Sequence, residues 1–99
     1  MGKDPAFLFY YQDFLVGVDK FSNAAVGAYI KCLCHQAHEG CINIEHMKKI
    51  CRDKKTFTAV ISKFHKIDGN GNVMNDRLDI EVRKRKLYSK SRAENRASK

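Results

Sequence analysis

Seven thiol and imidazole side chains crowd positions 32–51: Cys32, Cys34, His35, His38, Cys41, His46 and Cys51. Thiolates and imidazoles are the usual ligands of tetrahedral zinc, so zinc is the first chemistry to weigh. Cys34 and His38 stand four apart and would share one helical face. No C-x2-C pair is present, however, and Cys32 and Cys34 would point about 200° apart on a helix. The spacing therefore predicts no metal site and no cofactor. Cys34 and Cys51 fit better as small buried side chains beside a core. Disulfides do not suit an intracellular chain.

Catalysis has equally little to work with. There is no nucleophile elbow, P-loop or dinucleotide fingerprint. Gly69-Asn70-Gly71-Asn72 follows a helix and precedes a strand, the reverse of a phosphate cradle. The carboxylates are scattered, with no pair placed to divide acid and base roles. An enzyme is not expected.

The remaining chemistry is cationic. Lys54, Lys55, Ser62, Lys63 and Lys66, with Thr58 at the edge, lie along a stretch whose Phe57, Val60, Ile61 and Phe64 repeat at helical spacing. Lys55, Ala59, Ser62, Lys63 and Lys66 fall opposite that apolar face. Lysine and serine mainly contact phosphate, whereas arginine and asparagine are the stronger base readers. The stretch implies charge-driven contact with DNA and weak sequence preference. Asn70 and Asn72 in the following turn, and Arg83, Lys84, Arg85 and Lys86 beyond it, would add phosphate or minor-groove contacts. The competing reading is a solvated basic face on a domain that docks other proteins.

The elements that would carry these side chains follow from periodicity and caps. Residues 1–21 look extended and aromatic, with Phe7 and Phe9 alternating as in a short strand. Asp13-Phe14-Leu15 has the makings of one helical turn. This segment is expected to lie across the core as a cover. Ser22 caps a first long helix over Asn23 to His38, with Val26, Tyr29, Ile30, Leu33 and Ala37 as its buried stripe. Gly40 ends it in the left-handed conformation. Cys41-Ile42-Asn43 would form a sheet edge, and Asn43 would cap a helix over Ile44 to Cys51 with Met47, Ile50 and Cys51 inward. Arg52-Asp53 turns into a helix over Lys54 to His65. Lys66-Ile67 and Val73-Met74 then flank a tight turn rich in glycine and asparagine. Asn75 or Asp76 caps a last helix, where Leu78 and Val82 are the one clean apolar pair.

The order helix, short strand, helix, tight turn, helix, hairpin is that of a winged helix. The expected fold is mainly α with a small β-sheet, a winged helix-turn-helix over residues 1–76, followed by a basic C-terminal helix or tail over 77–99. Lys54 to His65 would be the recognition helix.

Ninety-nine residues suffice for one domain, and 43% hydrophobic content permits one modest core. The net charge is +8 and unevenly spread. Residues 77–99 hold nine Lys/Arg against three Asp/Glu, a net of +6; residues 1–76 hold ten against eight, a net of +2. A near-neutral body with a basic arm suggests a polyanionic partner. No apolar run approaches the roughly 20 residues that cross a bilayer. Asp4 and Pro5 interrupt any leader pattern, and Ala6 stands where a myristoylation signal needs Ser or Thr. A cytoplasmic protein with no membrane partner is expected.

An ordered set of short pieces adds a resemblance. It comprises Lys3-Asp4-Pro5-Ala6, Phe9-Tyr10, Asp13-Phe14-Leu15, Gly27-Ala28-Tyr29-Ile30, Ser62-Lys63-Phe64, Asp68-Gly69-Asn70-Gly71, Asn75-Asp76-Arg77-Leu78 and Tyr88-Ser89-Lys90-Ser91-Arg92. In that order the chain resembles uncharacterised prophage proteins whose N-terminal winged-helix domain is related to phage replisome organisers and replication-initiation proteins. The resemblance spans nearly the whole length. It implies a winged helix and a link to phage DNA replication. Together with the basic charge it leads to the expectation of double-stranded DNA as partner, with other replication proteins as further ones. It implies no defined activity. Its alternative function is an assembly module of a phage replication complex that does not touch DNA.

Overall fold

The structure, a computed structural model, describes residues 9–84 and 87. In chain order it contains α1 (Tyr11–Gly17), α2 (Asn23–Glu39), β1 (Ile42–Asn43), α3 (Ile44–Cys51), α4 (Lys54–Ile61), β2 (His65–Lys66) and β3 (Asn72–Met74). A fifth helix, α5, runs over 76–84. The architecture is mainly helical with a three-stranded antiparallel sheet of order β1-β3-β2, the expected α+β class.

Helices α2 and α3 begin where their caps were expected. Ser22 Oγ accepts the Ala25 amide at 3.1 Å. Asn43 Oδ1 accepts the Glu45 amide at 2.9 Å. Gly40 closes α2 with φ 95°, a conformation that a Cβ disfavours. In α2 the buried stripe is rotated from the expected one. Ala25, Ala28, Tyr29, Cys32, Leu33 and Gln36 are buried, while Val26, Ile30 and Ala37 are only half-buried. The rotation places Cys32 at the centre of the core and leaves Cys34 exposed, contrary to the expectation for Cys34.

The helical turn expected at Asp13-Phe14-Leu15 is part of a longer helix where extended chain was expected around it, and Phe9 lies in no strand. Tyr11–Gly17 forms α1, and Phe7 lies outside the described residues. Tyr10 makes no side-chain cap, and no residue of α1 is fully buried, so the helix depends on what it packs against. The covering role does hold. Phe14 stacks on Tyr29 with ring centroids 5.7 Å apart, Phe9 sits 5.0 Å from Phe14, and Phe21 and Phe64 meet Tyr29 edge-on at 6.0 Å. Such ring pairs add about 0.5–1.5 kcal/mol each beyond area burial.

Met47, Val60, Val73 and Cys32 complete the core, each at most 1% exposed. Ile42 and Val73 pair across β1 and β3, and both are buried. The edge strand β2 is exposed along its length, and Lys66 there discourages further strand pairing. Helix α4 ends at Ile61, four residues earlier than expected, because the chain must already be extended at His65 to pair with Met74. The strands accordingly begin at His65 and at Asn72.

Two polar clasps hold the hairpin loop and the start of α5. In the loop, Asp68 accepts the amides of Asn70 at 2.8 Å and Asn72 at 3.2 Å. Only Gly71 of that loop takes positive φ, 86°, and a Cβ there would meet Ile44 at 3.2 Å. Gln36, 2% exposed, forms the second clasp: its side-chain amide donates to Asn75 O at 3.0 Å and accepts Asn75 N–H at 2.7 Å. Asn75 in turn caps α5 by accepting the Leu78 amide at 3.0 Å. Leu78 is buried against the body, so the start of the 77–99 segment belongs to the core.

Candidate nucleic-acid interface

Asp53 starts α4. Its carboxylate accepts the Thr56 amide at 2.7 Å and the Thr56 hydroxyl at 3.1 Å. Those bonds turn Thr56 inward, and Thr56 and Val60 become the buried face. At about 100° per residue the outward face is then Lys54, Lys55, Thr58 and Ser62, within an arc of about 100°. All four are exposed. The wheel expected from sequence is turned by this: Ala59 is half-buried, and Lys63 and Lys66 lie beyond the end of the helix.

The other expected contacts lie outside α4. Lys63 is half-buried, its Nζ 5.6 Å from the Phe21 ring centre. Lys66 lies on β2 opposite Val73. Asn70 is exposed at the hairpin tip. Asn72 is already engaged, donating to Asp68 at 2.8 Å and accepting from Asn43 at 3.2 Å. On α5, Arg83 pairs with Asp79 at 3.0 Å and Lys84 with Glu81 at 3.8 Å. The two cations are exposed but their acids are not: the Asp79 side chain is 23% exposed and that of Glu81 10%. Arg85 and Lys86 lie outside the described residues.

Three further exposed cations immediately precede α4 in the chain. Lys48 and Lys49 occupy the last turn of α3, and Arg52 is the corner between α3 and α4. With Lys54 and Lys55 they make five cations against one acid, Asp53, in residues 48–55. A running charge count along the chain would have found them. Lys48 is partly committed, 3.5 Å from Glu45 and 5.6 Å from the Phe57 ring centre. Lys48 and Lys49 suit the negative end of α3, whereas Lys54 and Lys55 oppose the positive end of α4. The latter two are therefore not placed for helix stability.

The cysteines and histidines do not form a rival site. Among the described residues no group of three His, Cys, Asp or Glu is arranged to hold a metal. His35 and His46 stand as a pair, ring centres 4.4 Å apart. Burial pushes the Cys32 thiol up to about 12, with Cys51 nearby adding to the effect, and burial raises Cys51 too. Both thiols are protonated and unreactive at neutral pH. An open cavity of about 160 Å³ lies between α1, α2 and α5, lined by Phe14, Tyr29, Leu33 and Leu78 with Asp13 and Arg77 at its mouth.

The two carboxylates that shape the interface have a pH signature. Asp53 lies below the usual carboxylate value because the Thr56 amide and hydroxyl bond its charged form. Asp68 is lowered likewise by the Asn72 side chain and the Asn70 amide. Their stabilising effect is complete above the unfolded value, near 3.9, and is lost as pH falls through the lower folded value. Melting temperature followed from pH 6 to pH 2 is expected to drop below about pH 4, and Asp68→Asn to flatten part of that drop.

Comparison of the chain with protein-family models, curated proteins and solved structures found no match. Among the described residues, no helix is long and apolar enough to cross a membrane.

Proposed function

We propose that this is a winged-helix protein that binds double-stranded DNA. The observation that carries the reading is the outward stripe Lys54, Lys55, Thr58 and Ser62 on α4, with its lysines at the helix end where they weaken the helix. The order α2-β1-α3-α4-β2-β3 with sheet order β1-β3-β2 supports a winged helix, α4 being the second helix of a helix-turn-helix. In this reading α4 enters the major groove and the β2–β3 hairpin rests on the backbone. The cations after Glu81 follow the phosphates. With no arginine or asparagine on the outward stripe, the contacts are charge-driven and weakly selective. The resemblance to prophage proteins supports a role in phage or prophage replication initiation. No catalytic step is assigned.

A second reading is favoured by α1. Tyr11, Leu15 and Val16 are 66%, 64% and 79% exposed, an apolar surface of the kind that docks another protein. An assembly module without DNA contact would use that surface.

Fluorescence anisotropy of a labelled duplex and a matched single strand, over a salt series, separates the two. The comparison chain should end at residue 84, since a cut at 76 would remove buried Leu78. Submicromolar duplex binding that weakens steeply with salt and survives the cut is expected. Binding lost with the tail would reduce the activity to a basic arm, and no binding at physiological salt would leave the assembly reading.

A further inference from the structure

The corner between α3 and α4 is built around Arg52. The Arg52 amide donates to Lys48 O at 2.9 Å, ending α3, and the Asp53 amide donates to Cys51 O at 2.9 Å. The second bond closes a three-residue turn with Arg52 at its centre, φ 73° and ψ −44°. That is a γ-turn of the rare, strained hand. Among the described residues Arg52 is the one non-glycine with positive φ. The corner's two hydrogen bonds are backbone bonds, so any residue here must take this conformation. Glycine would take it without a Cβ penalty, and asparagine at a smaller one. A long cationic side chain is among the poorer choices for the fold.

The side chain does nothing visible for the body in exchange. Arg52 is exposed and has no ion-pair or hydrogen-bond partner among the described residues. Lys49 and Lys54, also exposed, flank it in sequence, with Lys55 next on the outward stripe. Four cations outside any salt bridge among the described residues thus cluster about one strained corner, and Asp53 beside them is turned into the α4 cap.

We infer that Arg52 is a phosphate-contact residue, kept at a strained turn position because its guanidinium meets the backbone of the DNA proposed above. This rests on the DNA-binding reading and deepens it: the contact surface extends from α4 back over the corner to Lys49, and the ligand feature it recognises is the phosphodiester, independent of base sequence. A guanidinium can hold two phosphate oxygens at once, which a lysine ammonium does not.

The test opposes stability to affinity in one substitution. Arg52→Gly is expected to raise the melting temperature by about 2–6 °C by relieving the turn. The same change is expected to weaken duplex binding by about 3- to 10-fold and to reduce the slope of log K against log salt by about 0.9, the mark of one lost phosphate contact. Arg52→Asn should show the same pair of changes in smaller measure on stability. Arg52→Lys should keep the salt slope without gaining stability. Two duplexes of unrelated sequence should lose affinity equally. Wild-type binding that persists in Arg52→Gly with unchanged slope overturns the role of Arg52 while leaving the DNA-binding reading intact. A lowered melting temperature in both Arg52→Gly and Arg52→Asn overturns the strain argument. No duplex binding by the unaltered protein overturns the DNA-binding reading and the inference together.

Discussion

Replacing Asn75 with alanine is expected to destabilise the protein by about 2–4 kcal/mol, because one side chain there serves three elements. Its Oδ1 accepts the Leu78 amide and caps α5. Its Nδ2 donates to Lys63 O at 2.9 Å, at the entry to β2, and to the Tyr29 hydroxyl at 3.3 Å, in the centre of the aromatic cluster. Alanine strands all three groups in partly buried surroundings, where an unpaired polar group is costly. For a domain of this size the loss corresponds to a fall in melting temperature of about 10–25 °C. Asn75→Asp divides the effect. It keeps the cap and suits the helix end, but removes both donated bonds. Its melting temperature should fall between those of the wild type and the alanine variant. Gln36→Leu attacks the same joint from α2, leaving the Asn75 amide unpaired and its carbonyl with the Asp79 amide alone. Thermal denaturation of the three variants checks the ordering. A fall of less than about 3 °C in Asn75→Ala would mean that Leu78 packing alone holds α5.

Asn75 also shows why the sequence conveyed some of this fold and not the rest. As an N-cap it is one of the two residues the sequence offers, with Asp76, because capping is local and a short polar side chain before an amphipathic run announces it. Ser22, Asn43 and Gly40 were read for the same reason, and α3 was placed to the residue. The grip of Gln36 on Asn75 spans 39 positions and leaves no local trace. A glutamine in a helix looks like a surface residue until the partner backbone arrives. That partner also explains the rotated stripe of α2. Gln36 holds Asn75, Cys32 lies near Cys51 of α3, and Tyr29 packs among Phe14, Phe21 and Phe64, so the buried face centres on these three and Val26 and Ile30 are left at its margin. Of helix α1 the sequence shows one turn, Asp13-Phe14-Leu15, and not the full extent, because its outward face is apolar: Tyr11, Leu15 and Val16 erase the two-sided pattern that marks a surface helix.

The interface divides along the same line. Lys54, Lys55, Thr58 and Ser62 were all named from sequence, and the structure brings them together on one stripe. Lys63 and Lys66 were assigned to that face by extending the helical repeat past Ile61, where strand pairing of His65 with Met74 had already ended it. Long-range pairing overrode a local period. Arg52 was treated as a mere turn residue, since backbone φ cannot be read from an arginine.

Replacing Lys54 and Lys55 together with glutamate is expected to weaken duplex binding by about 100-fold or more at low salt, since each change removes a phosphate partner and adds repulsion. The same change should not harm the fold. Acidic side chains in the first turn of a helix interact favourably with its positive end, by about 0.3–1 kcal/mol each when exposed. Part of that gain is offset by repulsion from Asp53, which now has Lys55 as a favourable neighbour. A melting temperature equal to or slightly above that of the wild type, with binding nearly abolished, is the expected result. Lys63→Glu supplies the contrast. Its cation sits against the Phe21 ring and is half-buried there, so the change should cost some stability and little affinity. Equal affinity losses in the two variants would mean that net charge alone governs binding. Silence of the double variant would turn attention to the apolar face of α1. If the double variant behaves as expected, it joins Arg52→Gly in one conclusion. Arg52, Lys54 and Lys55 stand where the local backbone disfavours them, Arg52 by its φ and the two lysines by the helix dipole, and affinity for a polyanion is the property that accounts for keeping them there.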